Sequence, residues 1–422
     1  MSPWRCACAA IALAVAGSAQ ASPTGDDRAN SDTASTKDAE VVAFIDARIF
    51  DGTGDPVIDD GVVIVRDGIT SEIGAAGAVD IPDGATVIDL AGRWLVPGFI
   101  NTHGHVNAEG DRESIVEQLE IYAYYGVTTV LSLGDEGDPR RDERWSRDLR
   151  HARLFVSGPS LYPESRDEAH AEVNRVAAME VDWVKMHVNA SRGREYHADV
   201  IKAARALDLP AAIHIEELTD ARSVLRAGAA MLAHSVRDEP VDTELKALMQ
   251  ARDACLVPTL TRELSTFVYR ERPDFFDDPF FLERSAPDDL EAFLTPERRE
   301  QATSPQAQYW RDALPLAKEN MRALHEAGLR IAMGTDSGPS GRFQGYFEHV
   351  EMEMMVSGGL SPRDVLVSAN GEAARCIGLA GTIGTITPGA WADLVVLDAN
   401  PLHDIRNTRS IHGVWIAGNR IR

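Results

Sequence analysis

The chain has 422 residues, of which 44% are hydrophobic and 26% charged. That is the profile of a globular protein with room for a large barrel and a smaller accessory domain, not of a fibrous or disordered one. The formal net charge of −24 repels nucleic acid and anionic membrane surfaces, so neither is an expected partner.

At the start, Arg5 precedes an apolar run from Cys6 to Ala16, then Gly17-Ser18 and Ala19-Gln20-Ala21. A positive start, a short apolar core and a small-x-small ending predict a secretory signal peptide over residues 1–21, cut after Ala21. The run is shorter than the roughly 20 apolar residues a membrane span needs. There is no Leu-x-Gly-Cys lipid-attachment ending. The expected location is therefore secreted, or periplasmic in a Gram-negative cell. Residues 22–39, rich in Ser, Thr, Asp and Ala without an apolar period, predict a disordered linker.

Residues 40–98 hold short Val- and Ile-rich runs (Val41–Ile45, Gly61–Arg66, Thr86–Leu90) between Asp-Gly-type turns, which predicts a set of strands. The middle, residues 99–383, alternates. A strand ending at His103 is followed by apolar runs at Val127–Leu133, Leu154–Ser157, Trp183–Val188, Ala211–Ile215, Met231–Ala233, Cys255–Leu260 and Leu329–Met333. Amphipathic helices lie between them. Val200, Ala203, Ala204 and Leu207 share one helical face, Thr243 is placed to cap a helix, and Ser361-Pro362-Arg363-Asp364 reads as a capped start. Eight strand–helix units predict a parallel sheet closed into a (β/α)8 barrel. Residues 384–422 return to strands at Ala392–Asp398 and Gly413–Ala417. The two strand-rich ends either cap the barrel separately or pair into one discontinuous domain. Cys6 and Cys8 leave with the signal peptide. Cys255 and Cys376 have no metal-type spacing and read as buried free thiols, although an exported location permits a bridge.

Chemistry in such barrels sits at the C-terminal ends of the strands. There the sequence places Asn101-Thr102-His103-Gly104-His105, then Lys185 and His187, then His214, His234 and Asp336. His103 and His105 are one residue apart, so both imidazoles project to one side of a strand. Ionisable groups ending apolar runs are costly unless paired or ligated. Four histidines and an aspartate at one mouth are ligand chemistry for zinc or a similar divalent ion.

At this point the sequence resembles the amidohydrolase superfamily, over nearly all the chain beyond the leader. The resemblance rests on Asp46-Ala47-Arg48-Ile49-Phe50-Asp51-Gly52-Thr53-Gly54, on Leu95-Val96-Pro97-Gly98-Phe99-Ile100-Asn101-Thr102-His103-Gly104-His105, and on Gly384 to Asp398. It looks most like the branch holding Xaa-Pro dipeptidase-like and imidazolonepropionase-like members. The resemblance implies that the N- and C-terminal strands form one discontinuous β-sandwich. It also implies that His103, His105, His214, His234 and Asp336 are metal ligands. Asn101 departs from it, since many relatives have Asp there. In two-metal relatives the lysine at the position of Lys185 is carboxylated by CO₂ into a bridging carbamate, which implies two metals, most simply Zn²⁺, and a carboxylated Lys185. Glu217, three residues after His214, matches the acid that one-metal relatives use as a proton shuttle, or else begins the next helix.

The expected reaction is hydrolysis of an amide or peptide-type C–N bond by metal-activated hydroxide, with Asp336 as general base. The substrate would be a small molecule or short peptide, such as a dipeptide or N-acyl amino acid. His187 faces the same way as Lys185, and Arg262 follows the seventh strand, where it would hold a substrate carboxylate. Phe267, Tyr269, Phe275, Phe276, Phe280 and Phe281 form either a lid or local packing, and Tyr122, Tyr124 and Tyr125 read as helix packing. A one-metal cyclic amidohydrolase or deaminase using Glu217 is the alternative, and a non-catalytic metal-bearing module the third. Relatives are often oligomers, which leaves a homo-oligomer open.

Overall fold

The computed structural model describes residues 40–106, 112–134, 141–285, 290–291 and 293–422. The expected leader and linker lie outside the described residues. Strands β1 (Val41–Ile49), β2 (Ile58–Arg66), β3 (Ile69–Ala75), β4 (Thr86–Asp89) and β5 (Trp94–Pro97) come first. They share one eight-stranded sheet with β14 (Leu394–Leu397), β15 (Ile411–Ile416) and β16 (Asn419–Arg420). The seam between the two chain ends is the antiparallel pair of β5 and β14, with Val96 opposite Val395. The two strand-rich ends thus pair rather than cap separately. Phe44, Val63, Val65, Leu95, Val396 and Trp415 pack on one face, and Ala43, Val62 and Ile64 on the other.

Between these ends lie eight parallel strands. β6 (Phe99–Gly104), β7 (Val127–Ser132) and β8 (Arg153–Val156) form a three-stranded sheet. β9 (Val184–His187), β10 (Ala211–His214), β11 (Met231–Ala233), β12 (Cys255–Val257) and β13 (Arg330–Ile331) form a five-stranded one. Single parallel bridges, Leu161 to Met186 and Gly104 to Ser337, link the two sheets at both seams. This is a TIM-barrel-like α/β fold. Every residue of β7 and of β10 is buried, as expected of strands covered on both faces, and that is why they read as unbroken apolar runs.

The helices follow the predicted punctuation with small shifts. In the helix His197–Ala206, Val200, Ala203 and Ala204 are buried, whereas Leu207 is its C-cap and is exposed. The helix Thr243–Arg252 is capped by Asp242, one residue before the expected Thr243, because the Asp242 carboxylate accepts from the Leu245 N–H at 2.9 Å. The helix Pro362–Ala369 has the full capping box of Ser361 and Asp364.

The free-thiol expectation is corrected. Cys255 at the start of β12 and Cys376 in the helix Gly371–Cys376 form a disulfide, with Cα atoms 6.0 Å apart across 121 residues of sequence. The barrel topology returns the last helix to the seventh barrel strand, which no local spacing announces. A second long-range tie is the buried pair of Arg153 on β8 and Asp393 before β14, with contacts of 2.6 and 2.8 Å. It fastens the C-terminal strands to the barrel wall.

Candidate metal centre

His103 and His105 alternate along the end of β6 as their spacing requires, and both aim Nε2 at Asp336, at 3.5 and 2.6 Å from Oδ1. Ligand atoms of these three residues lie within 4.8 Å of one another. The His103 ring is 4.8 Å from that of His234, which is 4.2 Å from that of His214, which is 4.6 Å from that of His187. Lys185 Nζ lies 3.3 Å from His103 Nε2. The structure therefore brings together all six residues expected as ligands, with His187 beside them. Close approach of β6 to the segment after β13 needs Gly334, where a Cβ would come within 2.8 Å of the His103 N and 2.4 Å of Val257 Cγ1.

Burial sets the electrostatics. It holds the His103 and His234 rings well below the usual imidazole range, His214 down to about 4 and His187 down to about 2. All four are neutral at physiological pH, as ligation requires. Burial also brings the Lys185 ammonium down to about 7, against the pull of Asp336. For Asp336 burial acts upward, but the guanidinium of Arg342 on Oδ2, together with His105 and His103, keeps the carboxyl well below its usual range.

Hydrogen bonds leave specific ring nitrogens free. His234 Nδ1 pairs with Thr259 Oγ1 at 2.6 Å, which leaves Nε2. His214 Nε2 pairs with Glu216 at 3.2 Å, which leaves Nδ1. Outer partners of this kind fix the ring and tautomer of a metal ligand. Behind β6, Asn101 Nδ2 donates to Glu348 Oε1 at 2.6 Å, and Thr335 and Ser337, on either side of Asp336, donate to the same oxygen at 2.9 and 2.7 Å. A set of buried imidazoles with one carboxylate, the His214 and His234 rings held by Glu216 and Thr259, fits a divalent metal.

The expected substrate residues are distributed differently. His187 Nδ1 is bonded to Tyr162 Oη at 2.9 Å. Glu217 is half-exposed and paired with Arg194 at 2.7 Å, and the acid that reaches a histidine is Glu216. The Arg262 guanidinium lies over Trp310, 4.1 Å from the ring centroid, and 3.3 Å from Glu263. The aromatic segment is packing: Phe276, Phe280 and Phe281 are buried against Phe343 and Tyr346, and Tyr269 is buried against Phe276 and Phe293. Of the three tyrosines, Tyr122 also bonds Ser337 Oγ at 2.8 Å.

Sequence reasoning missed Glu216, Arg237, Arg342, Tyr162 and Glu348. Only Glu216 carried a local signal. It follows His214 by two residues, the spacing that pairs His103 with His105.

The amidohydrolase family model matches residues 94–421. An uncharacterized protein of Mycobacterium tuberculosis is 41% identical over 95 residues, 21% of this chain, and the chain spans only 14% of that relative's length. Imidazolonepropionase of Methylobacterium sp. is 23% identical over 425 residues, covering 82% of this chain and 92% of that protein. A solved Xaa-Pro dipeptidase with bound methionine superimposes with a TM-score of 0.72 at 20% identity, covering 90% of this chain and 99% of that one. A putative prolidase from Bifidobacterium longum gives 0.74 at 23% identity, covering 90% and 94%. At such identities the solved structures share the fold.

Proposed function

We propose that this chain, which belongs to the amidohydrolase family, hydrolyses an amide or peptide-type C–N bond in a small acyl amino acid or dipeptide. The carrying observation is the convergence of His103, His105 and Asp336 within 4.8 Å, with Lys185, His214 and His234 around them. The architecture in this reading is a closed (β/α)8 barrel flanked by a β-sandwich built from both chain ends. The six residues would hold two divalent ions, zinc being the simplest choice, with Lys185 as a carbamate. Carboxylation needs a neutral amine, and burial favours that form of Lys185. When bound, the metals supply Lewis acidity and a water of lowered pKa.

The remaining chemistry belongs to the chain. Asp336 takes the proton of the attacking water and delivers it to the leaving amine. Thr259 and Glu216 hold the His234 and His214 rings. His187, braced by Tyr162, faces the substrate. The neighbouring likenesses, an imidazolonepropionase and an Xaa-Pro dipeptidase, both support C–N hydrolysis. The two-metal reading is favoured over a one-metal enzyme using Glu217, because that carboxylate is engaged by Arg194. We assign a location outside the cytoplasm from the leader expected over residues 1–21, and the Cys255–Cys376 bridge agrees with an oxidising compartment.

Asp336→Asn is the test. Its turnover of an N-acyl amino acid is expected to fall by about 10²-fold or more with most of its metal retained, as for loss of a general base. Near-normal turnover in that variant rejects the assignment.

A further inference from the structure

Around Arg262, which follows the seventh barrel strand, lies a cavity of about 560 Å³, lined also by Tyr269, Arg298, Ser304, Gln306 and Trp310. The chain as a whole carries a net charge of −24, yet this cavity gathers guanidinium groups. Arg298 donates to Ser340 Oγ at 2.7 Å and lies 3.6 Å from the centroid of Phe293. It has no carboxylate partner among the described residues. Arg262 shares a single carboxylate oxygen, Glu263 Oε1, with Arg237, at 3.3 and 3.4 Å. Both guanidiniums lie over the Trp310 ring, at 4.1 and 4.6 Å from its centroid. Arg237 is fully buried, its Nη2 lies 3.9 Å from Glu216 Oε1, and its Nε has no hydrogen-bond partner among the described residues.

A third source of positive potential points the same way. Ser304 and Gln306 are the N-cap and first turn of the 21-residue helix Pro305–His325, and that first turn carries no acidic residue. The dipole of a long helix favours an anion there, and a guanidinium fork matches a carboxylate. The guanidinium cluster also reaches the metal side through direct contacts, since Glu216 Oε1 lies 3.9 Å from Arg237 Nη2 and 3.2 Å from His214 Nε2.

We infer that this cavity is the subsite for a carboxylate-bearing end of the substrate, held between Arg262 and Arg298 against the Trp310 wall. The inference rests on the amide-hydrolase reading for the rest of the substrate, and it makes Arg298 a specificity residue. An amide that carries a free carboxylate is then preferred over its neutral counterpart.

The test is calorimetric binding to the metal-loaded full chain of 3-phenylpropionate and of the neutral 3-phenylpropanol, for wild type, Arg298→Gln and Arg298→Lys. The acid is expected to bind wild type at least about tenfold more tightly than the alcohol, and Arg298→Gln to lose about that factor, the scale of one charge-assisted hydrogen bond. Arg298→Lys, which keeps the charge, should recover part of it, with metal content and melting temperature unchanged in both variants. Equal binding of acid and alcohol overturns the subsite. So does acid binding that is indifferent to Arg298→Gln, which would put the carboxylate on the metals instead. Arg298-dependent acid binding in a protein that hydrolyses no amide supports the subsite and rejects the hydrolase reading, so the two failures are distinct.

Discussion

His234, Thr259 and Asp336 occupy left-handed backbone conformations, with φ of +79°, +48° and +59°. Residues with a Cβ enter that region at a cost, and such positions cluster where geometry serves chemistry. Each lies just past a barrel strand, where the chain must turn sharply while still aiming a side chain inward. Lys185 shows the other face of the same economy, a cation-forming group buried among imidazoles. Metal content per chain tests its role. Wild type is expected to hold about two ions and Lys185→Ala about one or fewer, as a bridging ligand between paired metals requires. One ion in both proteins would remove the carbamate and point to a one-metal centre.

At the scale of elements, the helix Tyr346–Ser357 does more than cover the barrel. Its Glu348 gathers the ends of β6 and β13, and its Glu351 accepts the backbone N–H groups of Leu260 and Thr261 at 2.8 and 2.7 Å, at the start of the helix Leu260–Phe267. Burial raises the Glu351 carboxyl to about 7 despite those bonds. The unfolded chain releases this proton near the ordinary carboxylate value, so between about pH 4.5 and 7 the folded state binds more protons. Stability contributed by this group therefore falls as pH rises through that window. In Glu351→Gln that part of the slope should vanish, which denaturant melts from pH 5 to 8 would reveal. Parallel slopes in both proteins would mean that the helix-start N–H groups keep the carboxylate ionised.

The parallel strands were legible because burial on both faces leaves mostly apolar runs, and the residues expected as ligands were legible because they fall inside or just after those runs. Arg237, Arg298, Arg342 and the cysteine bridge were not. Each finds its partner through the packing of distant loops and helices, a relation that no periodicity encodes. Glu217 matches the position of the family acid, whereas the alternation of side chains puts Glu216 on the side of His214, and Arg194 engages Glu217.

For the whole molecule, the Cys255–Cys376 bridge spans the wall between the seventh barrel strand and the last barrel helix. Closing so long a loop restricts the unfolded chain, and its loss should lower unfolding free energy by about 2–5 kcal/mol. The double variant Cys255→Ser, Cys376→Ser should melt several degrees lower, and a reductant should bring wild type to the same value. Identical melts in oxidising and reducing buffer would argue against the bridge.

The pairing of β5 with β14 also sets an order of events. β5 leaves the ribosome early, but its neighbour lies beyond the entire barrel, so the seam is a contact of very high sequence separation and slow to close. Until the final strands emerge, β5 presents an unpaired edge of the kind that invites association between chains. A chain halted short of residue 394 would keep that edge open.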